Sequence, residues 1–267
     1  MVPTGVDARG DIVGLYLGPD GGPRAFLLNH GHARDLGTLG GATAVADAIN
    51  DNGLVVGAST TVGEEAIHAA LFGRVPHDLG TAHETDGYSE AFAVNEQGIA
   101  VGRSGAAPGQ ATAAIFRGGN VIDIGTLGGA TSSATDINNS GLITGFSQTA
   151  DGLEHAFIFD SRHSGSGLTD LGTLGGKNSI AASINDRGTI VGQADTVATA
   201  TTGLPDAFVD FGRGLIDLND LIPLAMHLHW DLVQALAINK GGQIAGIGLH
   251  DGLPEAFLLT PADGHFA

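Results

Sequence analysis

The sequence predicts an all-β fold, a six-bladed β-propeller of four-stranded blades, and three observations predict it. First, the pattern hydrophobic–Asn/Asp–x–x–Gly–x–hydrophobic–x–Gly occurs six times in 267 residues, closing at Gly14, Gly57, Gly102, Gly145, Gly192 and Gly246. The closing glycines are spaced 43, 45, 43, 47 and 54 residues apart. Second, a small–Ala–Phe–hydrophobic motif falls between them, at Ala25-Phe26, Ala156-Phe157, Ala207-Phe208 and Ala256-Phe257. Looser forms occur at His68–Phe72 and Thr112–Phe116. Third, Asp-Leu-Gly-Thr-Leu-Gly-Gly starts at Asp35 and Asp170, recurs with Ile at Asp123, and decays at Asp78 and Asp217. Each unit therefore holds four short apolar stretches bounded by turn residues, which read as four strands. A period in this range fits a propeller blade rather than a helical solenoid. A β-solenoid is the alternative, although its rungs are shorter and its ends need caps.

Strand A is the small-residue stretch before the Asn turn, for example Thr43–Asn50. Crowding near a propeller axis favours Gly and Ala there, so strand A is expected innermost. The A–B turn follows, with Asn or Asp bonding the turn backbone and Gly three residues later supplying the permissive dihedral. Its members are Asp7, Asn50, Asn95, Asn138, Asn185 and Asn239. Strand B is the Gly–x–hydrophobic stretch, strand C the Ala-Phe stretch and strand D the Asp-Leu-Gly-Thr stretch. The aspartates of strand D and the threonines after it (Thr38, Thr81, Thr126, Thr173) are expected to cap or to cross-bond neighbouring blades. The A–B and C–D turns then lie on one face, and the B–C and D–A loops on the other. The six repeats make one domain and run about 1–41, 42–81, 82–129, 130–176, 177–220 and 221–267. The fourth strand of the last must come from Pro261–Ala267 or from Met1–Thr4. Leu221–Leu236 is the one stretch compatible with a helical period. Half of the 44 glycines fall at repeated positions, so the glycine content is propeller punctuation.

Lys and Arg number 11 against 29 Asp and Glu, a net charge of −18. Such a chain repels phosphate backbones, which argues against nucleic acid and anionic membranes as partners. An acidic cleft for a cationic ligand or divalent ion stays open. The absence of cysteine excludes disulfides, zinc–thiolate sites and a cysteine nucleophile. The first residues have no basic segment and no apolar run, so no signal peptide is expected in this sequence, and a trimmed export signal is compatible with it. No apolar run approaches a membrane span. The chain is expected to be a monomer.

Candidate site residues come from places where the six copies disagree. The residue before the Ala-Phe pair is in turn Arg24, His68, Thr112, His155, Asp206 and Glu255. It sits where the B–C loop enters strand C. His68, His155, Asp206 and Glu255 there can do acid–base work around a channel mouth, or can be variation at an exposed strand end. The D–A loop from Thr81 to Ser89 adds His83, Glu84, Asp86 and Tyr88. The loop from Leu221 to Asp231 adds His227, His229 and Trp230, the single tryptophan. If Met226–Asp231 is extended, His227 and His229 share one face and Leu228 and Trp230 the other. That arrangement suits a stacking wall with a polar edge or a two-histidine metal pair. A hydrophobic cap made by Trp230 and the leucines is the competing reading. No cofactor motif is evident, because Gly-x-Ser-x-Gly, His-Glu-x-x-His, Walker and dinucleotide fingerprints are all absent.

The literal His155-Ala156-Phe157 triplet, the Asp-Leu-Gly-Thr-Leu-Gly-Gly motif, and the ending from Asp217-Leu218-Asn219-Asp220 to Phe257-Leu258-Leu259-Thr260-Pro261 resemble the HAF-repeat family of bacterial extracellular repeat proteins. The resemblance covers essentially the whole chain and implies a bacterial source and a secreted or periplasmic location, with no general activity to transfer. Three functions follow as expectations. The first is one asymmetric site at the channel mouth for a glycan or small organic ligand. The second is an enzyme (lyase, hydrolase or cyclase) using His, Asp and Glu there. The third is a structural protein of matrix or envelope.

Overall fold

The computed structural model describes residues 1–64, 66–82, 87–163, 165, 167–223 and 229–261. It is all-β apart from short helical turns, and it is a six-bladed β-propeller. Blade 1 is β1 (Val2–Val6), β2 (Ile12–Leu17), β3 (Pro23–Asn29) and β4 (His32–Asp35). Blade 2 is β5 (Gly40–Ile49), β6 (Val55–Thr61), β7 (Ile67–Phe72) and β8 (His77–Gly80). Blade 3 is β9 (Tyr88–Val94), β10 (Ala100–Gly105), β11 (Ala111–Arg117) and β12 (Asn120–Asp123). Blade 4 is β13 (Gly128–Ile137), β14 (Leu142–Thr149), β15 (Glu154–Asp160) and β16 (Thr169–Gly172). Blade 5 is β17 (Gly175–Ile184), β18 (Ile190–Thr196), β19 (Asp206–Asp210) and β20 (Leu215–Asp217). Blade 6 has three strands among the described residues, β21 (Trp230–Ile238), β22 (Ile244–His250) and β23 (Leu253–Leu259).

Every sheet is made of strands consecutive in sequence. Met1–Thr4 therefore does not complete the last blade: Val2 and Pro3 pair with Leu15 and Gly14 inside blade 1. Residues 262–267 lie outside the described residues. A single helix does not run through Leu221–Leu236, of which residues 224–228 lie outside the described residues. Leu218–Leu221 forms one 3-10 turn and Trp230 already begins β21. By compactness the chain divides into Met1–Gly125 with Ala130–Asn139, and Thr126–Gly129 with Ser140–Ala267.

The A–B turns follow from the Asn pattern. Asn50 Oδ1 accepts from Asn52 N at 3.1 Å and Leu54 N at 2.9 Å, while Gly53 N donates to Asn50 O at 2.9 Å. Gly53 takes a φ of 80°, which glycine adopts without strain. The same atoms bond at Asn95 and Asn185. The asparagine also reaches the next blade, because Asn50 Nδ2 donates to Asn95 O at 2.7 Å and Asn95 Nδ2 to Asn138 O at 3.2 Å. Asp7 has no amide to donate, and in blade 1 the link runs instead from Ala8 N to Asp51 Oδ1 at 2.8 Å. The closing glycine marks a bulge between strands A and B, where a Cβ on Gly102 would run into the Glu90 carbonyl.

The core lies between adjacent blades. Val13, Ala25, Leu36, Val55 and Phe72 form one cluster and Val56, Ala69, Ala91, Ala100 and Phe116 the next. In the second unit, Ala156, Ala181, Ile190 and Phe208 form a third cluster, and Val191, Leu218, Leu232, Ile244 and Phe257 a fourth. Buried serines stitch these faces. Ser89 Oγ accepts from Ala69 N of blade 2 at 2.9 Å and donates to Gly80 O at 2.7 Å. Ser132 and Ser179 make the same two bonds, to Ala113 and Gly125 and to Ala156 and Gly172. Of the two expected roles, capping and cross-bonding, three of the threonines take the first. Thr38, Thr126 and Thr173 donate to Gly41 O, Gly129 O and Gly176 O three residues on, which closes the D–A turn locally.

Candidate functional site

Strand-D aspartates spend one oxygen on their own turn: Asp78 Oδ1 accepts from Gly80 N at 2.7 Å and Asp170 Oδ1 from Gly172 N at 2.7 Å. In blades 2 and 4 the other oxygen faces the variable residue before Ala-Phe, whereas in blade 1 Asp35 Oδ2 accepts from the Tyr16 hydroxyl at 2.6 Å. His68 Nδ1 sits 2.8 Å from Asp78 Oδ2, and His155 Nδ1 2.8 Å from Asp170 Oδ2. The Asp78 hydrogen bond holds the His68 pKa above its ordinary value. In blade 5 the partner is also acidic. Asp206 is pushed up by burial and then by the Asp217 charge, and Asp217 is pushed up by burial. Arg24 pairs with Asp20 at 3.1 Å on its own hairpin. These residues are thus held one per blade by partners within that blade.

Tyr88 is not a loop aromatic. It begins β9, is 5% exposed, and lies under the Arg103 guanidinium, 5.3 Å from its ring centroid. Arg103 also lies 5.5 Å from the Phe92 ring centroid and bonds Glu90 Oε2 at 2.7 and 3.0 Å. Strand pairing explains this, since Glu90 and Arg103 are direct partners between β9 and β10. Burial and the Glu90 contact push the Tyr88 hydroxyl up. Asp47 of β5 is raised to about 7, first by burial and then by the Glu90 charge. His83, Glu84 and Asp86 lie outside the described residues, as does His227.

One corner of blade 6 does gather expected residues. The β22–β23 hairpin pairs His250 with Leu253 across a two-residue Asp251-Gly252 turn, with φ values of 49° and 81°. Asp-Gly tolerates this left-handed geometry and suits the twist of the strands. The turn presents the Asp251 carboxylate to His229, whose Nδ1 lies 2.8 Å from Asp251 Oδ1, and Asp251 N donates to His229 O at 2.8 Å. That His229 contact lowers the Asp251 pKa. His250 lies opposite Trp230 in the register, and their rings stack 4.7 Å apart at 11°. Glu255 Oε2 is 3.3 Å from His250 Nδ1. Outward exposure is high: 58% for the His229 side chain, 65% for Asp251 and 50% for Glu255.

His229 is therefore a turn residue held by Asp251, while the rest of the expected His-x-His stretch, residues 226–228, lies outside the described residues. Trp230 is partly buried against the cluster of Leu218, Ile222 and Leu232, and Leu224 and Leu228 of the expected cap lie outside the described residues. His250 and Asp251 were missed by sequence reasoning. The Asp251-Gly252 dipeptide is the signal that could have found their hairpin, but their partners come from the start of β21 and the turn before it. Among the described residues, no group of three or more His, Asp or Glu is placed to hold a metal ion. No described helix is long and apolar enough to cross a membrane.

A family model described as a protein of unknown function (DUF3466) matches residues 80–252. No curated protein matches the chain. Among solved structures, TolB from Acinetobacter baumannii is similar at 12% identity and a TM-score of 0.50, covering 78% of this chain and 51% of that one. The β-propeller domain of the Trilobed protease from Pyrococcus furiosus, which has an open velcro topology, is similar at 9% identity and a TM-score of 0.57. It covers 97% of this chain and 80% of that one. The chain thus spans about half the length of the TolB structure. At these identities the likeness shows the propeller fold alone.

Proposed function

We propose, from the premise that the chain belongs to the DUF3466 family of unknown function, that it is a ligand-binding propeller with one asymmetric site on blade 6. The observation that carries this reading is the Trp230–His250 stack flanked by the His229–Asp251 and His250–Glu255 contacts. A rigid aromatic platform backed by the core supplies contact area at low entropic cost. Around it, two carboxylates accept hydrogen bonds and two imidazoles donate or accept them. That chemistry fits a glycan or a small polyhydroxylated organic ligand. The HAF-repeat resemblance supports placing this function outside the bacterial cytoplasm, in a secreted or periplasmic protein.

The test uses the single tryptophan as reporter, titrating its emission with neutral and amino oligosaccharides and small polyols. The reading expects a saturable change that disappears in Asp251→Asn/Glu255→Gln while the melting temperature stays within about 2 °C. Ligands that bind equally well to the double variant overturn it. A second reading, an enzyme of the lyase, hydrolase or cyclase class, has one specific observation in its favour. A carboxylate-oriented imidazole such as His229 is the usual form of a general base. It expects turnover that falls in His229→Gln without loss of binding.

A further inference from the structure

A cavity, unrelated to the blade 6 corner, opens between blades 2 and 3. It measures about 210 Å³, larger than the ~150 Å³ cavity that accommodates benzene in another protein. Its walls are Leu54, Leu71, Leu79, Val94 and Phe116, so its depth is apolar. Its rim comes from the turn after β11, Arg117-Gly118-Gly119-Asn120, and from His77 at the start of β8. Gly118 and Gly119 have φ values of 58° and 79°, and a Cβ on either would meet no atom within 4 Å. Theirs is the one C–D turn of the five four-stranded blades with adjacent glycines. The turn therefore stands over the cavity without side chains to close it.

The formal charge at the rim has one sign. Arg117 carries the charge, is exposed and makes no ion pair among the described residues. His77 and Asn120 can add hydrogen bonds. No carboxylate is among the described residues that line the cavity, although acidic residues outnumber basic ones 29 to 11 in the chain. A guanidinium left unpaired at the mouth of an apolar pocket, within an acidic protein, matches a ligand with an apolar body and an anionic head. Planar carboxylate fits its fork.

We propose that this interblade cavity binds small amphipathic carboxylates, a single ring or short chain in the pocket with the carboxylate on Arg117. The cavity admits a body of roughly benzene size with a one- or two-carbon tether.

The test follows backbone amide shifts of Arg117, Gly118 and Gly119 on titration with phenylacetate, 2-phenylethanol and 2-phenylethylamine. Phenylacetate is expected to bind saturably with a Kd on the order of 1 mM, as a ligand of this size allows. The amine is expected to bind at least about tenfold more weakly. Arg117→Gln, at an exposed position, should weaken phenylacetate about three- to tenfold and leave 2-phenylethanol unchanged. Leu79→Phe, which fills the pocket, should abolish all three. The proposal is overturned if no saturable shift appears up to about ten times the expected Kd, if the amine binds as well as the acid, or if a folded Leu79→Phe protein binds as before. Should Leu79→Phe not fold, the Arg117→Gln comparison decides by itself.

Discussion

Replacing Ser89 with alanine removes one oxygen and leaves two backbone groups of the neighbouring blade without their partner. Ser89 is fully buried, and its hydroxyl accepts from Ala69 N at 2.9 Å and donates to Gly80 O at 2.7 Å. Ala69 is also fully buried, so its N–H loses its partner with no access to water. A buried donor left unsatisfied costs about 1–3 kcal/mol. Gly80 is half-buried, and water recovers part of the loss at its carbonyl. The sum is about 2–4 kcal/mol, a drop of roughly 4–8 °C in Tm for a chain of this size. Urea unfolding monitored by circular dichroism measures it, with Thr202→Ala as a surface control expected to change stability by less than about 0.5 kcal/mol. If Ser89→Ala matches that control, the serine stitches are not what joins blades 2 and 3, and the reasoning fails.

Gly102→Ala should destabilise by more than about 3 kcal/mol, because its Cβ meets the Glu90 carbonyl and backbone must move. Wild-type stability in thermal melts would contradict that clash. Asp47→Asn tests the raised carboxyl. With a folded pKa of about 7 against 3.8 unfolded, the folded state holds the proton more tightly, so the wild type loses stability as pH rises from about 4 to 7. The shift sets a ceiling of about 4 kcal/mol. The variant should therefore be the more stable at pH 8, with the gain fading towards pH 4. A difference independent of pH would refute the assignment. For the His68–Asp78 pair the sign is mixed. The raised His68 contributes stability below its unfolded pKa that is lost as pH rises, and the lowered Asp78 contributes stability that is lost in acid. The stability difference between wild type and His68→Gln should thus shrink from pH 6 to pH 8 in parallel melts, and a difference that grows would reverse this sign.

The propeller was legible because its signals are local. Asn50 and Gly53 close a four-residue turn, and Asp78 and Gly80 a side-chain turn of three residues, so spacing alone marks where strands begin and end. The stitches were less legible, since Ser89, Ser132 and Ser179 look like ordinary small strand residues. Their recurrence six places before the turn asparagine was the available signal, but its meaning depends on which neighbouring strand lies beside them. The site divided along the same line. His229, Trp230 and Glu255 stood out as departures from the repeat and do come together. Their partners His250 and Asp251 arrive through a strand register that composition cannot supply. His68, His155 and Asp206 stood out equally, yet each faces the strand-D aspartate of its own blade. Divergence in that pairing distinguishes the blades chemically.

The claim of one asymmetric site on blade 6 is tested most directly by isothermal titration with the tightest oligosaccharide or polyol from the tryptophan screen, on the wild type and on Asp251→Asn/Glu255→Gln. A stoichiometry of one per chain, lost in the double variant, is the predicted result. Several equivalents per chain, or one equivalent that persists in the variant, would contradict it.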